Sequence, residues 1–107
     1  MNHSTPVPAQ AVASVDAVFQ VNRPGVFFIY ENGGHIYAEC PCGCGSHMRL
    51  PIHAEDVPAP SLHPNWWWNG DRDKPTLRPS IRDMAGCRYH GHLTDGVWTF
   101  ETDSGVC

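Results

Sequence analysis

Cys40-Pro41-Cys42-Gly43-Cys44-Gly45 sets three cysteines at alternate positions, spaced by a proline and a glycine and closed by a second glycine. Proline and glycine interrupt strand pairing and leave little to pack, so the run predicts a tight knuckle rather than a strand. Thiolates favour zinc or iron–sulfur centres, and the glycines let the backbone fold closely around an ion. Further ligands are expected from much later in the chain, where Cys87-Arg88-Tyr89-His90-Gly91-His92 supplies one thiol and two imidazoles.

The chain of 107 residues implies one small domain with a thin core, a size that often gains from a metal or disulfide staple. A net charge of −4 argues against an electrostatic nucleic-acid binder. Seven histidines against seven Lys plus Arg is a high share of imidazole, in keeping with a metal or catalytic site. No apolar run approaches the roughly 18–20 residues of a membrane span, and no charged start leads into an apolar signal core. A cytoplasmic protein with its five cysteines reduced or metallated is therefore expected. The odd count leaves one thiol over under any full disulfide scheme, and Cys107 is the expected spare.

Residues 1–14, rich in Pro, Ala and Ser, read as a flexible arm, with a single β-rich zinc-binding domain over 15–107. Val18, Phe19, Val21 and the run Val26 to Tyr30 are β-branched and aromatic, which favours strands. Asn32-Gly33-Gly34 is strong turn chemistry, and His35 to Ala38 reads as the returning strand of a hairpin that leads into the knuckle. His47 to Ile52 offers another strand. Pro58, Pro60 and Pro64 break the chain into a surface loop before Trp66-Trp67-Trp68. Successive tryptophans on a strand face opposite sides, so at least one is expected in the core while another is left to line a groove. Cys87 to Leu93 and Val97 to Thr102 flank Asp95-Gly96, a type I′ hairpin loop. That register sets Leu93 against Trp98 and His90 opposite Glu101. No segment carries helical periodicity over ten or more residues, so the predicted class is all-β. The expected architecture is a small sheet or sandwich clasped by a zinc knuckle.

Tetrahedral zinc needs four ligands, and Cys40, Cys42, Cys44, Cys87 and His90 offer five. Either the four cysteines hold the ion and leave His90 available, or two knuckle cysteines act with Cys87 and His90. The second arrangement resembles Rieske hairpin loops at Cys87-x-x-His90-Gly91. The first Rieske loop carries C-x-H, however, and the equivalent here is Cys40-Pro41-Cys42, which argues against a Rieske cluster and for zinc.

The CPCGCG knuckle, the Trp-rich segment ending in Asn69-Gly70, Pro75-Thr76-Leu77-Arg78-Pro79-Ser80-Ile81, and the C-x-x-H before an Asp-Gly hairpin occur in an order that resembles the BubE family of bacterial ubiquitin-like operons and prophages. The likeness runs from about Gly34 to Phe100. It implies a serine deubiquitinase-like peptidase, with the serine of the Pro-Ser pair at Ser80 and the histidine after the cysteine at His90. Zinc is then structural, held by Cys40, Cys42, Cys44 and Cys87.

The chemistry of the residues can carry that activity. A serine hydroxyl is a poor nucleophile until a base within hydrogen-bond reach takes its proton. Ser80 follows the rigid Pro79, and His90 lies on a strand expected to be anchored by Cys87. Glu101 and Asp103 are candidates for orienting the imidazole. The expected partner is a ubiquitin-like protein, cut after its C-terminal tail. The alternatives are a non-catalytic zinc-binding interaction module encoded by a phage and, below it, a Rieske-like electron-transfer domain.

Overall fold

The computed structural model describes residues 5–54, 65–82 and 88–101. Strands β1 (Val7–Pro8) and β2 (Gln10–Ala11) precede helix α1 (Val15–Val21), after which β3 (Val26–Ile29), β4 (His35–Glu39) and β5 (His47–Ala54) form an antiparallel meander. Strand β6 (Trp66–Trp68) then pairs parallel to β5 and antiparallel to β7 (Leu77–Arg78). The last elements are β8 (Ile81–Arg82), β9 (His90–Gly91), β10 (Leu93–Thr94) and β11 (Val97–Trp98). They make a six-stranded sheet β2-β3-β4-β5-β6-β7, a three-stranded sheet β1-β11-β10 and the pair β8-β9. The all-β class stands, with one short helix added.

Local chemistry accounts for the hairpins. The Asn32-Gly33 turn closes on a Gly33 N–H to Tyr30 carbonyl bond of 2.8 Å, and Asn32 Oδ1 accepts from Gly34 N–H. Asp95 and Gly96 have φ of 49° and 74°, the positive pair that a type I′ turn requires. That turn sets Leu93 opposite Trp98, as the spacing predicts.

Two expectations change. The β-branched stretch at Val18, Phe19 and Val21 is helical rather than extended. Ser14 caps the helix by accepting the Ala17 N–H at 3.1 Å, Asp16 sits in the first turn, and Asn22 ends it in the left-handed region. Buried Val18 seats α1, so one packed contact and two caps outweigh a strand propensity that is a weak prior. Part of the segment expected as an arm is also built into the sheets. Val7 pairs with Trp98 and Gln10 with Val26, so the polar Pro/Ala-rich stretch satisfies its backbone on two sheet edges.

One face of β4 and β5 supplies Ile36, Ala38, Met48, Leu50 and Ile52 to the core, where they meet Leu77, Ile81, Leu93 and Trp98. Trp98 is fully buried, and its indole N–H donates to the Gly25 carbonyl at 2.9 Å. Trp98→Phe removes that donor and leaves a buried carbonyl without it. The urea midpoint should report a loss of about 1–3 kcal/mol.

Candidate active site and cysteine knuckle

Ser80 lies in the two-residue link between β7 and β8. The Trp66 indole N–H donates to its backbone carbonyl at 3.2 Å, so a tryptophan packed against the core fixes where the serine sits. Trp68 is buried while Trp66 and Trp67 are half-exposed, and the aromatic cluster is thus shared between core and the wall beside Ser80.

His90 stands on β9, where register sets it opposite Arg82 on β8. Its backbone carbonyl accepts the Glu101 N–H at 2.8 Å, which ties β9 to the chain after β11. On one side of it, Tyr89 is buried and donates its hydroxyl to the Thr99 carbonyl at 2.6 Å. On the other, Gly91 leaves no room for a Cβ against Thr99 and Tyr89. His90 is therefore held by backbone bonds on both edges.

These supports bring His90 Nε2 to 3.3 Å from Ser80 Oγ. A base and a hydroxyl at that separation are within reach of proton transfer in a tightened complex. Nδ1 of His90 meets an Arg82 guanidinium nitrogen at 3.0 Å. Glu101, one candidate for orienting the ring, places its carboxylate 3.6 Å from His92 Nδ1 instead. Asp103, the other, lies outside the described residues. Neither Arg82 nor the Trp66 bond to Ser80 stands out in the sequence. Arg82 reaches the ring through the pairing of β8 with β9, which joins segments separated in sequence.

The knuckle follows β4 directly. Its turn is closed by the Cys40 N–H to the Ser46 carbonyl at 2.8 Å and by Gly43 N–H to the Cys40 carbonyl at 3.3 Å. Gly43 and Gly45 take φ of 91° and 85°, a region in which a side chain is strained. The sulfurs of Cys40, Cys42 and Cys44 lie within 4.8 Å of one another, and those of Cys40 and Cys42 are 3.3 Å apart. Tetrahedral sulfurs at the Zn–S length of about 2.3 Å stand roughly 3.8 Å apart, so the cluster fits a thiophilic ion. The Ser46 N–H also points at Cys44 Sγ, 3.4 Å away, as suits a thiolate. Cys42 is disulfide-bonded in this structure, against the expectation that the cysteines are reduced or metallated rather than paired, and all three sulfurs can serve an ion only once that bond is reduced. Cys87 lies outside the described residues, as does Cys107.

Knuckle and base share a neighbour. Burial pushes the Tyr89 phenol well above its usual range, with Cys40 and then Glu101 adding negative charge beside it. The hydroxyl thus keeps its proton and its bond to Thr99 while Cys40 lies close by. Among the described residues, no helix is long and apolar enough to cross a membrane. A family model described as the bacterial ubiquitination-like system serine protease (BubE) matches residues 14–101. No curated protein and no solved structure gives a match.

Proposed function

The chain belongs to the BubE family, and from that premise we propose that it is a zinc-stabilised serine peptidase that cuts after the C-terminal tail of a ubiquitin-like protein in the cytoplasm. The observation that carries this reading is the 3.3 Å approach of Ser80 Oγ to His90 Nε2. In the acylation step Ser80 Oγ attacks the carbonyl carbon of the last tail residue while its proton passes to His90 Nε2. The tetrahedral adduct collapses, the same proton goes to the departing amine, and the tail remains as an ester on Ser80. Water then attacks the ester and gives a proton to Nε2, which passes it to the departing Ser80 Oγ as the tail acid leaves. The half-exposed Trp66 beside Ser80 suits an extended, glycine-like tail, which small side chains let approach closely.

Cys40, Cys42 and Cys44, with Cys87, would hold the zinc, which supplies a cross-link between the knuckle and the chain that enters β9. Zinc content measured by mass spectrometry should fall on Cys44→Ser and stay unchanged in Ser80→Ala.

The direct test is incubation with a ubiquitin-like protein fused through its tail to a second domain. Wild type is expected to release the domain, and Ser80→Ala to leave the fusion intact while its zinc content is unchanged. Equal cleavage by both would remove the serine reading. A non-catalytic zinc-binding module is the competing reading. It draws on Phe19, which is 56% exposed and stacks on His47 at 4.4 Å, as an aromatic surface for a partner. That reading expects no cleavage by either protein.

A further inference from the structure

The six-stranded sheet has two faces, and the core accounts for only one of them. Residues opposite each other in register share a face, and alternate residues of a strand return to it. Ile36, Ala38, Met48, Leu50, Ile52 and Trp66 thus point to the core side. The other side carries Phe28, Tyr37 and Arg49 in one cross-strand row, and His53, Trp67 and Arg78 in another. Helix α1 covers the β3–β4 corner of this side, where Phe19 meets Tyr37 and His47 at ring separations of 5.9 and 4.4 Å. Beyond that corner Arg49 and Arg78 are exposed, with Phe28, Tyr30 and Trp67 half-buried beside them.

The fold does not require this composition. Arg49 sits over the Tyr30 ring at 6.0 Å, and Tyr30 lies 5.7 Å from Phe28 and 5.5 Å from His35. Arg78 donates to the Leu77 carbonyl and to Thr94 Oγ1. Among the described residues neither arginine meets a carboxylate. Glu39, the carboxylate that the described strands place on this side, is buried beside His47, 3.6 Å away. A chain with eleven acidic residues thus leaves two cations on an aromatic surface with no exposed strand carboxylate among them.

We infer that this outer face, from Tyr30 and Arg49 across to Trp67 and Arg78, docks the folded domain of the ubiquitin-like substrate through an apolar patch bordered by carboxylates. The inference rests on the Ser80–His90 reading above and adds the surface that selects the substrate's body. Aromatic rings supply the contact area, and arginine–carboxylate pairs fix the orientation. Tyr30 is flanked by rings tilted at 37° and 50° and capped by Arg49, which suits an apolar protein surface better than stacked bases. Arg78 ends β7 two residues before Ser80, and two residues of extended chain span about 7 Å at most. A domain seated here can pass its own tail round the β7 edge to the serine, so docking raises the tail's local concentration there.

Binding and cleavage test this separately on the full chain. The folded ubiquitin-like domain without its tail is titrated by calorimetry into wild type, Arg49→Glu and Trp67→Ala. Wild type should bind it, more weakly as salt rises, and Arg49→Glu should weaken binding about tenfold. Trp67→Ala should lose more, up to about a hundredfold, as a central aromatic anchor does. Arg49 is exposed, so its exchange tests the surface even where Trp67→Ala fails to fold. With the tailed fusion as substrate, Arg49→Glu should raise KM by the same factor with little change in kcat. A short tail ester, which lacks the domain, should not separate Arg49→Glu from wild type. A domain that binds no protein, or binds wild type and Arg49→Glu alike, would overturn the inference, as would a loss shared by the ester. Capture of a labelled single-stranded oligonucleotide that Arg49→Glu abolishes would overturn it in favour of nucleic acid, and dimers of the chain broken by Arg49→Glu in favour of a second copy. If nothing is cleaved while domain binding still falls in Arg49→Glu, the serine reading fails and the docking surface stands.

Discussion

The double variant Ser80→Ala, His90→Ala is expected to cleave a ubiquitin-like fusion no more slowly than either single variant. Each single change should cost roughly a thousandfold or more, because nucleophile and base perform one step together. If the residues acted separately their losses would multiply, and the double variant would be slower again by a similar factor. The 3.3 Å contact between Oγ and Nε2 is the reason to expect shared loss. The same set of variants separates the two roles open to His90 in a C-x-x-H sequence. As a base, its replacement abolishes cleavage and leaves bound zinc unchanged. As a ligand, its replacement lowers the metal content together with the melting temperature. Multiplying losses, or zinc lost with His90, would break the proposed pairing.

Gly91→Ala should be the most damaging single methyl in the chain's catalytic half. A Cβ there would be driven into the Thr99 carbonyl oxygen and to within 2.8 Å of Tyr89 Cζ. Neither neighbour can yield cheaply. Thr99 donates its N–H to the His92 carbonyl at 2.9 Å, and its own carbonyl receives the Tyr89 hydroxyl at 2.6 Å. Tyr89 is itself fully buried, edge-on to Trp98 and Phe100 at 6.2 and 5.4 Å between ring centres. Extra atoms in a well-packed interior cost about 1–3 kcal/mol, and a collision with hydrogen-bonded backbone belongs at or beyond the top of that range. For a domain with total stability on the order of 5–15 kcal/mol, thermal unfolding should move down by at least ten degrees or so. Because Gly91 follows His90 on β9, cleavage should fall in step with the melting temperature. A variant with wild-type melting would show that β9 has room which the structure denies it.

The elements that neighbouring residues specify were legible in the chain itself. Asn32-Gly33 and Asp95-Gly96 demand turns whatever surrounds them, and the second fixes Leu93 against Trp98 through the two-residue loop alone. The clustering of Cys40, Cys42 and Cys44 follows in the same way from glycines placed between sulfurs. Helix α1 was hidden because its Val and Phe side chains favour strands, and seven residues are too few to display a period. Its Ser14 cap was the available signal.

The approach of Ser80 to His90 belongs to a different class. Their order in the chain says that they exist, but the 3.3 Å between them depends on β8 lying against β9, on Trp66 gripping the Ser80 carbonyl, and on Gly91 letting Tyr89 and Thr99 close against β9. Each of those contacts joins residues separated in sequence, which no local propensity encodes. The identity of the group at Nδ1 follows the same logic: register brings Arg82 to the ring, while Glu101 is turned toward His92. The residue types that can perform the chemistry were set by the sequence, but packing decided which of them meet.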